Sequence, residues 1–367
     1  MRVLVIGAGM FGASTAWDLA RRGVEVEIVD HGHPGKATMA GAGIVCPWAT
    51  RIEEPEWYEV YAAGARFYDG LVAGLAAVGE TDLGYAKVGG LVVSEDPAEF
   101  ARAGERIAAR VATAPEAGEL RRLSAAEARG LFPVLREGLE AWHLPGAARV
   151  DARLLSAAMV RAAVARGARY RSDYLTLRRA EGRIRAYDGT GREIPADEIV
   201  VTAGAWAAQI LAPVAVPHPV KPQKGQIIHL RLPGVATAAW PVLLPMTSHY
   251  MLAFDDSRVV VGATREDNSG FDYRVTAAGQ LEVLGAGLAI APGLAGAEVI
   301  ETRIGFRPAG PTIRPILGPV PGEEGLWIGN GLGAGGISIG PFAGHCLATL
   351  LTGGRLDIPV DRFAPVG

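Results

Sequence analysis

The sequence predicts a parallel α/β domain that is interrupted by a mainly antiparallel α+β domain. Three observations support this fold class. The first thirty residues read as a strand, a glycine-rich turn, a helix and a second strand. The middle of the chain holds alternating apolar and polar runs typical of antiparallel strands. The end of the chain returns to a strand that leads through a second glycine-rich turn, at 330–336, into a helix.

The N-terminal turn, Gly7-Ala-Gly9-Met10-Phe11-Gly12, has the spacing of a dinucleotide-binding motif. The first glycine permits a tight turn, the second lets the backbone approach a pyrophosphate, and the third lets helix and strand pack closely. The N-terminus of the helix would offer unpaired N–H groups to the phosphates. We therefore predict a Rossmann-like domain, although the motif by itself does not separate FAD from NAD.

Asp30 ends the second strand, 23 residues after Gly7. An acid at this place can accept hydrogen bonds from an adenosine ribose. Its negative charge would repel a 2′-phosphate, which argues against NADP.

The composition indicates a globular protein with room for two domains. The chain has 367 residues, of which 49% are hydrophobic and 20% charged. A formal charge of −3 gives no electrostatic reason to expect nucleic acid or an anionic membrane as a partner. We expect no integral membrane segment and a cytoplasmic location. Cys46 and Cys346 lack metal-binding spacing and are predicted to be small buried residues, with no metal site.

The loop after Asp30 contains small residues from Thr38 to Ile44. Their small side chains suggest that backbone packs against a large flat ligand, and the alternative is an ordinary flexible loop. His31 and His33 lack a third ligand and are interpreted as surface residues.

The remaining elements follow from periodicity and from helix start and stop signals. Helices are predicted at 53–79, 97–112, 152–166 and 277–290, with a capping box at Ser124 and a last helix from Pro341 to Leu351. Strands are predicted at 88–93, 168–171, 175–179, 183–188, 199–202, 225–232, 250–254, 259–262, 298–306 and 326–329. The strands at 175–202 are interpreted as a meander, and the proline-rich stretch 213–222 as a linker.

Motifs along nearly the whole chain resemble the D-amino acid oxidase family of FAD-dependent oxidoreductases, which includes glycine oxidase, D-amino acid dehydrogenase and sarcosine oxidase. The resemblance rests on the N-terminal turn with Asp30, the 38–44 loop, Val201 to Trp206, Lys224-Gly225-Gln226, Gly262 to Glu266, Gly270-Phe-Asp272, Gly305-Phe-Arg307-Pro308 and Gly331 to Gly344. It implies an FAD-binding domain made of 1–45, 145–212 and 300–367. The substrate-binding domain would then comprise 46–144 and 213–299.

The resemblance also implies which residues contact FAD. Beyond the N-terminal turn and Asp30, they are Thr38, Gly41, Ala42, Gly43, Ile44, Tyr174, Ala203, Gly204, Trp206, Arg307, Gly333, Ala334, Gly335, Gly336 and Ile337. The last five would border the isoalloxazine ring, where a helix N-terminus favours negative charge. Related enzymes with covalent flavin carry a cysteine near 305–307. This chain has none there, so FAD is predicted to be bound non-covalently.

Arg307 matches the arginine that grips the substrate carboxylate in this family. A planar guanidinium suits that role because its two parallel donors fit two carboxylate oxygens. The alternative is a structural salt bridge. Tyr250 aligns with a tyrosine that assists carboxylate binding, and it could equally belong to the core. Glycine oxidase has another arginine where this chain has Ala334, which puts glycine itself in doubt as the substrate.

The function implied is oxidation of the Cα–N bond of a small amino acid to an imine, by hydride transfer to flavin N5. The substrate would be a D-amino acid or an N-alkyl glycine, and the electron acceptor oxygen, a quinone or a carrier protein. No side chain is nominated as a catalytic base, in keeping with the family. Two alternatives stay open: an FAD-dependent 2-hydroxy acid dehydrogenase, and a non-enzymatic FAD-containing partner subunit.

Overall fold

The computed structural model describes residues 1–365. The strands of this part of the chain are β1 (Arg2–Ile6), β2 (Glu25–Val29), β3 (Ile44–Val45), β4 (Ala86–Lys87), β5 (Gly90–Val93), β6 (Arg121–Leu123), β7 (Ala141–Leu144), β8 (Ala148–Arg149), β9 (Arg169–Arg171), β10 (Leu175–Ala180), β11 (Arg183–Asp188), β12 (Glu193–Ile194), β13 (Glu198–Val201), β14 (Lys221–Arg231), β15 (Val242–Pro245), β16 (Tyr250–Ala253), β17 (Arg258–Gly262), β18 (Glu298–Ala309), β19 (Ile316–Pro319) and β20 (Leu326–Asn330). The α-helices are α1 (Met10–Arg21), α2 (Ala37–Ala40), α3 (Pro55–Ala76), α4 (Pro97–Val111), α5 (Ala125–Leu131), α6 (Ala152–Ala165), α7 (Ala207–Leu211), α8 (Ala277–Ile290) and α9 (Gly336–Leu351).

Six strands form a first sheet in the order β19-β20-β13-β1-β2-β9. The strands from β20 to β9 run parallel, and the edge strand β19 is antiparallel. Both faces of β1 are buried: Val3 and Val5 pack under α1 and α9, while Leu4 and Ile6 face the small sheet β10-β11-β12 and α7. A parallel strand covered on both faces is apolar throughout, which is why the strand is visible in the sequence.

Eight strands form a second sheet in the order β18-β14-β17-β16-β15-β5-β7-β6. Neighbours are antiparallel except for the parallel pair β5 and β15. Helices α5 and α8 cover one face, and α4 packs on the other. A small sheet, β3-β8-β4, joins the two regions. The fold class predicted from the sequence, a Rossmann-like α/β domain with an inserted antiparallel α+β domain, is confirmed.

Two predicted strand assignments differ from the structure. β13 lies between β1 and β20 in the parallel sheet, and the third strand of the meander is the two-residue β12. The reason is the burial of β13: buried and exposed residues do not alternate along it, and Ile199, Val200 and Val201 are all buried. β18 is longer than predicted and pairs with β14 from Lys221 to Arg231. β18 belongs to the second sheet along its whole length, and Pro222 belongs to β14 rather than to a linker.

The last helix begins at Gly336, not at Pro341, which lies inside it. Proline inside a helix leaves the carbonyl one turn earlier without its donor. The Tyr68 hydroxyl donates to that carbonyl, on Ile337, at 2.6 Å, so the helix continues. The segment Gly333–Leu351 is long and apolar enough to cross a membrane, but 67% of it is buried. Packing of α9 against α1 and α3 accounts for its apolar character.

Candidate active site

A cavity lies where the two sheets meet, at the carboxyl ends of the parallel strands. Ile6, Val29, Thr202 and Asn330, which end or follow β1, β2, β13 and β20, all line it. Ligands of open α/β sheets bind at this edge. One side of the cavity is formed by small residues of the turns at 7–12, 41–44, 203–204 and 333–336, here called the glycine wall. The other, here called the arginine wall, consists of Leu244, Ser248, Tyr250, Arg265, Gly305 and Arg307.

The N-terminal turn has the geometry that its spacing predicts. Gly7 has φ +102°, and a Cβ there would lie 2.6 Å from the Thr202 carbonyl oxygen. A Cβ on Gly12 would lie 2.0 Å from the Gly7 carbonyl oxygen, so Gly12 serves packing between helix and strand and does not line the cavity. Helix α1 has no side-chain cap and no acidic residue in its first turn. Its N-terminus is therefore suited to an anion such as a pyrophosphate.

Asp30 lines the cavity with its carboxylate already engaged. Oδ1 accepts from the Ala8 N–H at 3.2 Å, and Oδ2 accepts from Lys36 Nζ at 2.6 Å. The sequence did not indicate Lys36, which also lines the cavity. A ribose bound here would share an oriented carboxylate with this lysine.

The 38–44 loop is ordered against the N-terminal turn. Thr38 Oγ1 accepts from the Met10 N–H at 3.1 Å. A Cβ on Gly43, which has φ +91°, would lie 1.7 Å from the Val150 carbonyl oxygen. Thr38, Gly41, Ala42, Gly43 and Ile44 all line the cavity. The geometry favours a fixed wall rather than a flexible loop.

The second glycine-rich turn completes the glycine wall. Gly204 and Gly333 have positive φ, and a Cβ on either would meet no protein atom within 4 Å. The open space beside them is what a flat ligand would occupy. Helix α9 begins next to them without a side-chain cap or an acid in its first turn. Two helix N-termini without an acid in the first turn and a backbone-lined cleft fit FAD.

Most of the predicted cofactor residues line this cavity. Those that do are Gly7, Gly9, Met10, Phe11, Asp30, Thr38, Gly41, Ala42, Gly43, Ile44, Tyr174, Ala203, Gly204, Trp206, Arg307, Gly333, Ala334, Gly336 and Ile337. Gly335 does not, because it is buried with Ile339 Cδ1 at 3.0 Å from where its Cβ would be.

His31 and His33 line the cavity as well. His31 is exposed, as interpreted from the sequence, and His33 is half-buried. His33 stacks on Trp206 at a ring-centroid distance of 4.6 Å. No sequence signal linked the two, because their contact depends on the positions of distant loops.

Arg307 lies on the arginine wall without a carboxylate partner. Nη1 donates to the Thr264 carbonyl at 3.0 Å. The guanidinium rests on Gly225, where a Cβ would lie 2.7 Å from Nη2. Among residues 1–365 no carboxylate oxygen lies within 4.0 Å of it. Burial lowers the pKa of Arg307, and the charge of Arg265 adds to this effect. Arg307 is half-buried, and a cation in such a place without an ion pair is suited to bind an anion.

Tyr250 and Arg265 flank this guanidinium. Burial raises the pKa of Tyr250, and the Arg307 charge opposes that shift, so the hydroxyl remains protonated near neutral pH. Arg265 lines the cavity and likewise has no ion-pair partner among the described residues. Arg303, in contrast, is bound to Glu301 and does not line the cavity.

Neither cysteine is placed for attachment of a cofactor at 305–307. Cys46 and Cys346 are both buried, and burial raises the pKa of each thiol to about 12. They are inert neutral groups at physiological pH. Within residues 1–365 no cluster of histidine, cysteine or acidic side chains has metal-binding geometry.

A cleft with the motif of a dinucleotide site, facing guanidiniums without ion pairs, is consistent with a flavin-dependent oxidoreductase. The family model described as FAD-dependent oxidoreductase, the DAO family, matches residues 2–350. The chain belongs to this family.

Known proteins of the family are similar over the full chain. The structure resembles that of iminodiacetate oxidase from Chelativorans sp. BNC1, with a TM-score of 0.97, 63% identity and 99% of each chain covered. An uncharacterised oxidoreductase of Bacillus subtilis is 43% identical over 99% of this chain and 98% of its own length. Glycine oxidase of Pseudomonas aeruginosa is 30% identical over 100% of this chain and 99% of its own length. The predictions of the family, of FAD as cofactor, and of an oxidoreductase of the amino acid and amine type are confirmed.

Proposed function

We propose that this enzyme oxidises a C–N bond of a secondary amine that carries two carboxylates, with iminodiacetate as the model substrate. Iminodiacetate is an N-alkyl glycine, so the proposal narrows the substrate class expected from the sequence. The similarity to iminodiacetate oxidase, at 63% identity, supports this choice.

The observation that carries the proposal is the pair of cations on the arginine wall. Arg307 and Arg265 both line the cavity, and among residues 1–365 neither has a carboxylate oxygen within 4.0 Å, although the charge of Glu266 acts on Arg307 from farther away. Two adjacent guanidiniums without counter-ions repel each other. A ligand with two carboxylates would neutralise both, whereas glycine would leave one uncompensated. Ala334 on the glycine wall provides no further cation.

The residues of the chain would bind and orient the substrate rather than exchange protons with it. Arg307 would hold one carboxylate and Arg265 the other, so that the amine between them faces the glycine wall. Tyr250 stays protonated and can donate to a carboxylate but not accept a proton, since its pKa is raised. The amine proton would therefore leave to water, and no catalytic base is assigned.

FAD, when bound, supplies a two-electron acceptor. The carbon next to nitrogen would lose a hydride and the nitrogen a proton, which turns the C–N bond into an imine. Water then adds to the imine carbon, and the C–N bond breaks to release glyoxylate and glycine. Oxygen, a quinone or a carrier protein would reoxidise the cofactor.

The test is anaerobic bleaching of the flavin absorbance with a panel of substrates. Iminodiacetate should bleach it fastest, ahead of N-methylglycine, glycine and D-alanine. Arg265→Ala should lower kcat/KM for iminodiacetate about tenfold or more, because one carboxylate loses its ion pair. The same variant should change N-methylglycine little, and Arg303→Ala should change neither. Faster bleaching by glycolate or lactate would favour a 2-hydroxy acid dehydrogenase instead, and bleaching by none of the panel would contradict the proposal.

A further inference from the structure

The segment that carries Arg265 changes its pairing register just before it reaches the cavity. Gly262 pairs with Ile227, whereas Glu266 pairs with Lys224. From Gly262 to Glu266 the chain moves four residues, whereas its partner β14 moves only three, from Ile227 to Lys224. One extra residue opposite a regular strand is a β-bulge, which moves every following side chain to the other face of the sheet.

After the bulge, side chains alternate between the protein interior and the cavity. Thr264 and Glu266 share the interior side, where Thr264 Oγ1 donates to Glu266 Oε1 at 2.7 Å. Gln226 Nε2 donates to the same oxygen at 2.8 Å. Arg265 lies between them in sequence and so faces the cavity.

The carboxylate of Glu266 has a buried counter-ion. Lys224 is 1% exposed, and its Nζ lies 3.4 Å from Glu266 Oε2. Burial by itself would raise the pKa of Glu266, but the hydrogen bonds from Gln226 and Thr264 and the charge of Lys224 outweigh it and hold the pKa below its usual range. Glu266 therefore remains ionised and anchored.

We propose that Glu266, held by Lys224 and Gln226, is a positioning residue that aims Arg265 at the second carboxylate of the substrate. The inference rests on the proposed function, because it assigns how the dicarboxylate preference is built. The bulge turns the side chain of Arg265 toward the cavity. Because Arg265 lies beyond the end of β17, however, the bulge by itself does not keep the segment paired with β14. The ion pair with Lys224 and the backbone pairing of Glu266 with the same lysine hold the segment on β14.

Arg307 should depend on Glu266 much less. It bonds the Thr264 carbonyl, and Thr264 is held not only by its hydroxyl bond to Glu266 but also by its own N–H, which donates to the Gln226 carbonyl at 3.2 Å. The Gln226 N–H returns a bond to Thr264 Oγ1 at 2.9 Å. The charge of Glu266 also acts on Arg307, whose pKa it raises, but removal of a negative charge does not weaken the hold of a guanidinium on an anion. Loss of the Glu266 charge should therefore weaken binding of a ligand with two carboxylates and spare a ligand with one.

The experiment measures dissociation constants of the FAD-loaded enzyme for glutarate and for acetate, by titration of the flavin absorbance. In Glu266→Gln, glutarate binding should weaken about tenfold or more and acetate binding less than about threefold. The matched control is Asp267→Asn, a neighbouring exposed carboxylate bonded to Gln223, which should change neither. In an Arg265→Ala background, Glu266→Gln should change glutarate binding less than about twofold, since Glu266 acts through Arg265.

Glu266→Gln leaves the buried charge of Lys224 without its partner and could impair folding. A second variant separates that effect from the loss of positioning. Lys224→Met combined with Glu266→Gln removes both charges and should fold with normal FAD content. It should show the same selective loss of glutarate. Equal weakening of both ligands, or independent effects of the Glu266 and Arg265 changes, would overturn the inference.

The experiments distinguish failure of the positioning role of Glu266 from failure of the proposed function. If wild type oxidises iminodiacetate while Glu266→Gln behaves like Asp267→Asn, the positioning role of Glu266 is wrong and the proposed function stands. If wild type does not oxidise iminodiacetate but Glu266→Gln still loses glutarate selectively through Arg265, the proposed function is wrong and the positioning role stands.

Discussion

The glycine wall of the cavity is built from backbone, whereas the arginine wall is built from charged side chains brought together from separate strands. Each turn of the glycine wall is a continuous stretch of chain, and small residues there leave room for a flat ligand. The arginine wall draws its side chains from three different strands: Tyr250 begins β16, Arg265 follows the end of β17, and Arg307 lies in β18. A wall of backbone can hold one cofactor throughout a family, while a few side chains of the other wall decide the substrate.

Electrostatics separates the two walls as well. Asp30, on the cofactor side, is already paired with Lys36. Arg307 and Arg265 have no carboxylate partner among the described residues. Charge on the first side is compensated within the protein, and charge on the second is left for the ligand. Substitutions on the cofactor side should therefore weaken FAD binding, and substitutions on the arginine wall should lower activity toward the substrate.

The largest effect is expected from Arg307→Ala. A charged bidentate contact contributes about 1.5–3 kcal/mol, and each 1.36 kcal/mol is tenfold in rate. We expect kcat/KM for the best amine substrate to fall by about 10² or more. Arg307→Lys should recover part of the loss, because ammonium keeps the charge but not the planar fork. Steady-state kinetics at fixed ionic strength checks this.

The control for Arg307 is Arg303→Ala on the same strand, whose guanidinium is bound to Glu301. That variant should keep kcat/KM. FAD content and melting temperature of Arg307→Ala should stay near wild type, and acetate should no longer compete. An alanine variant that still turns over and is still inhibited by acetate at wild-type concentrations would show that Arg307 is not the carboxylate anchor.

A smaller effect, on the cofactor rather than the substrate, is expected from Asp30→Ala. Removal of a charged hydrogen-bond acceptor costs about 1.5–3 kcal/mol. We expect FAD affinity of the apoprotein to fall roughly ten- to a hundredfold, with Lys36 left unpaired. Fluorescence titration with FAD measures this directly. In wild type, acid precipitation should release all the flavin as intact FAD.

The comparison for Asp30→Ala is Asp173→Ala, an acid that also lines the cavity but lies outside the dinucleotide motif. Its FAD affinity should change less. Unchanged affinity in Asp30→Ala would mean that this acid only ends β2. Flavin that remained with precipitated wild-type protein would contradict non-covalent binding.

The sequence predicted the glycine wall well because each part of it is local. Gly7, Gly12 and Asp30 occupy one continuous motif, and the spacing of that motif is its geometry. The arginine wall could be predicted only through resemblance. Nothing in the local pattern around Arg307 separates an unpaired guanidinium from Arg303, four residues earlier on the same strand and bound to Glu301.

The errors have the same origin. The sequence predicts that β13 belongs to the meander because the strands that precede it in sequence are antiparallel, although its neighbours in space are β1 and β20. The sequence predicts a helix start at Pro341 because the hydroxyl that replaces the missing donor belongs to Tyr68, which is 269 residues from the Ile337 carbonyl that it bonds. The sequence does not indicate Lys36, because the motif that contains its partner Asp30 is complete without a lysine.

The arginine wall also belongs to the sheet with a buried histidine that no partner satisfies. His229 on β14 is 3% exposed, and neither ring nitrogen has a hydrogen-bond partner among the described residues. Burial lowers the pKa of His229 to about 3, and the charges of Arg303, Arg258 and Arg153 add to this while Glu301 opposes it. The folded protein therefore holds this histidine neutral.

The smallest effect is the loss of stability that this histidine causes at mildly acidic pH. An unfolded histidine has a pKa near 6.5 and binds a proton well before the folded one does. The contribution of His229 to the free energy of unfolding is therefore complete above pH 6.5 and is lost progressively as the pH falls toward 3. Between pH 7 and pH 5 the loss should be about 2 kcal/mol at most.

Urea unfolding with saturating FAD at pH 5, 6 and 7 should show this loss in wild type, and His229→Leu should remove that part of the pH dependence. His31→Gln, a change at an exposed histidine, should leave the slope as it is. If His229→Leu follows the same pH dependence as wild type, the acid sensitivity arises elsewhere and the neutral state of His229 in the folded protein is wrong.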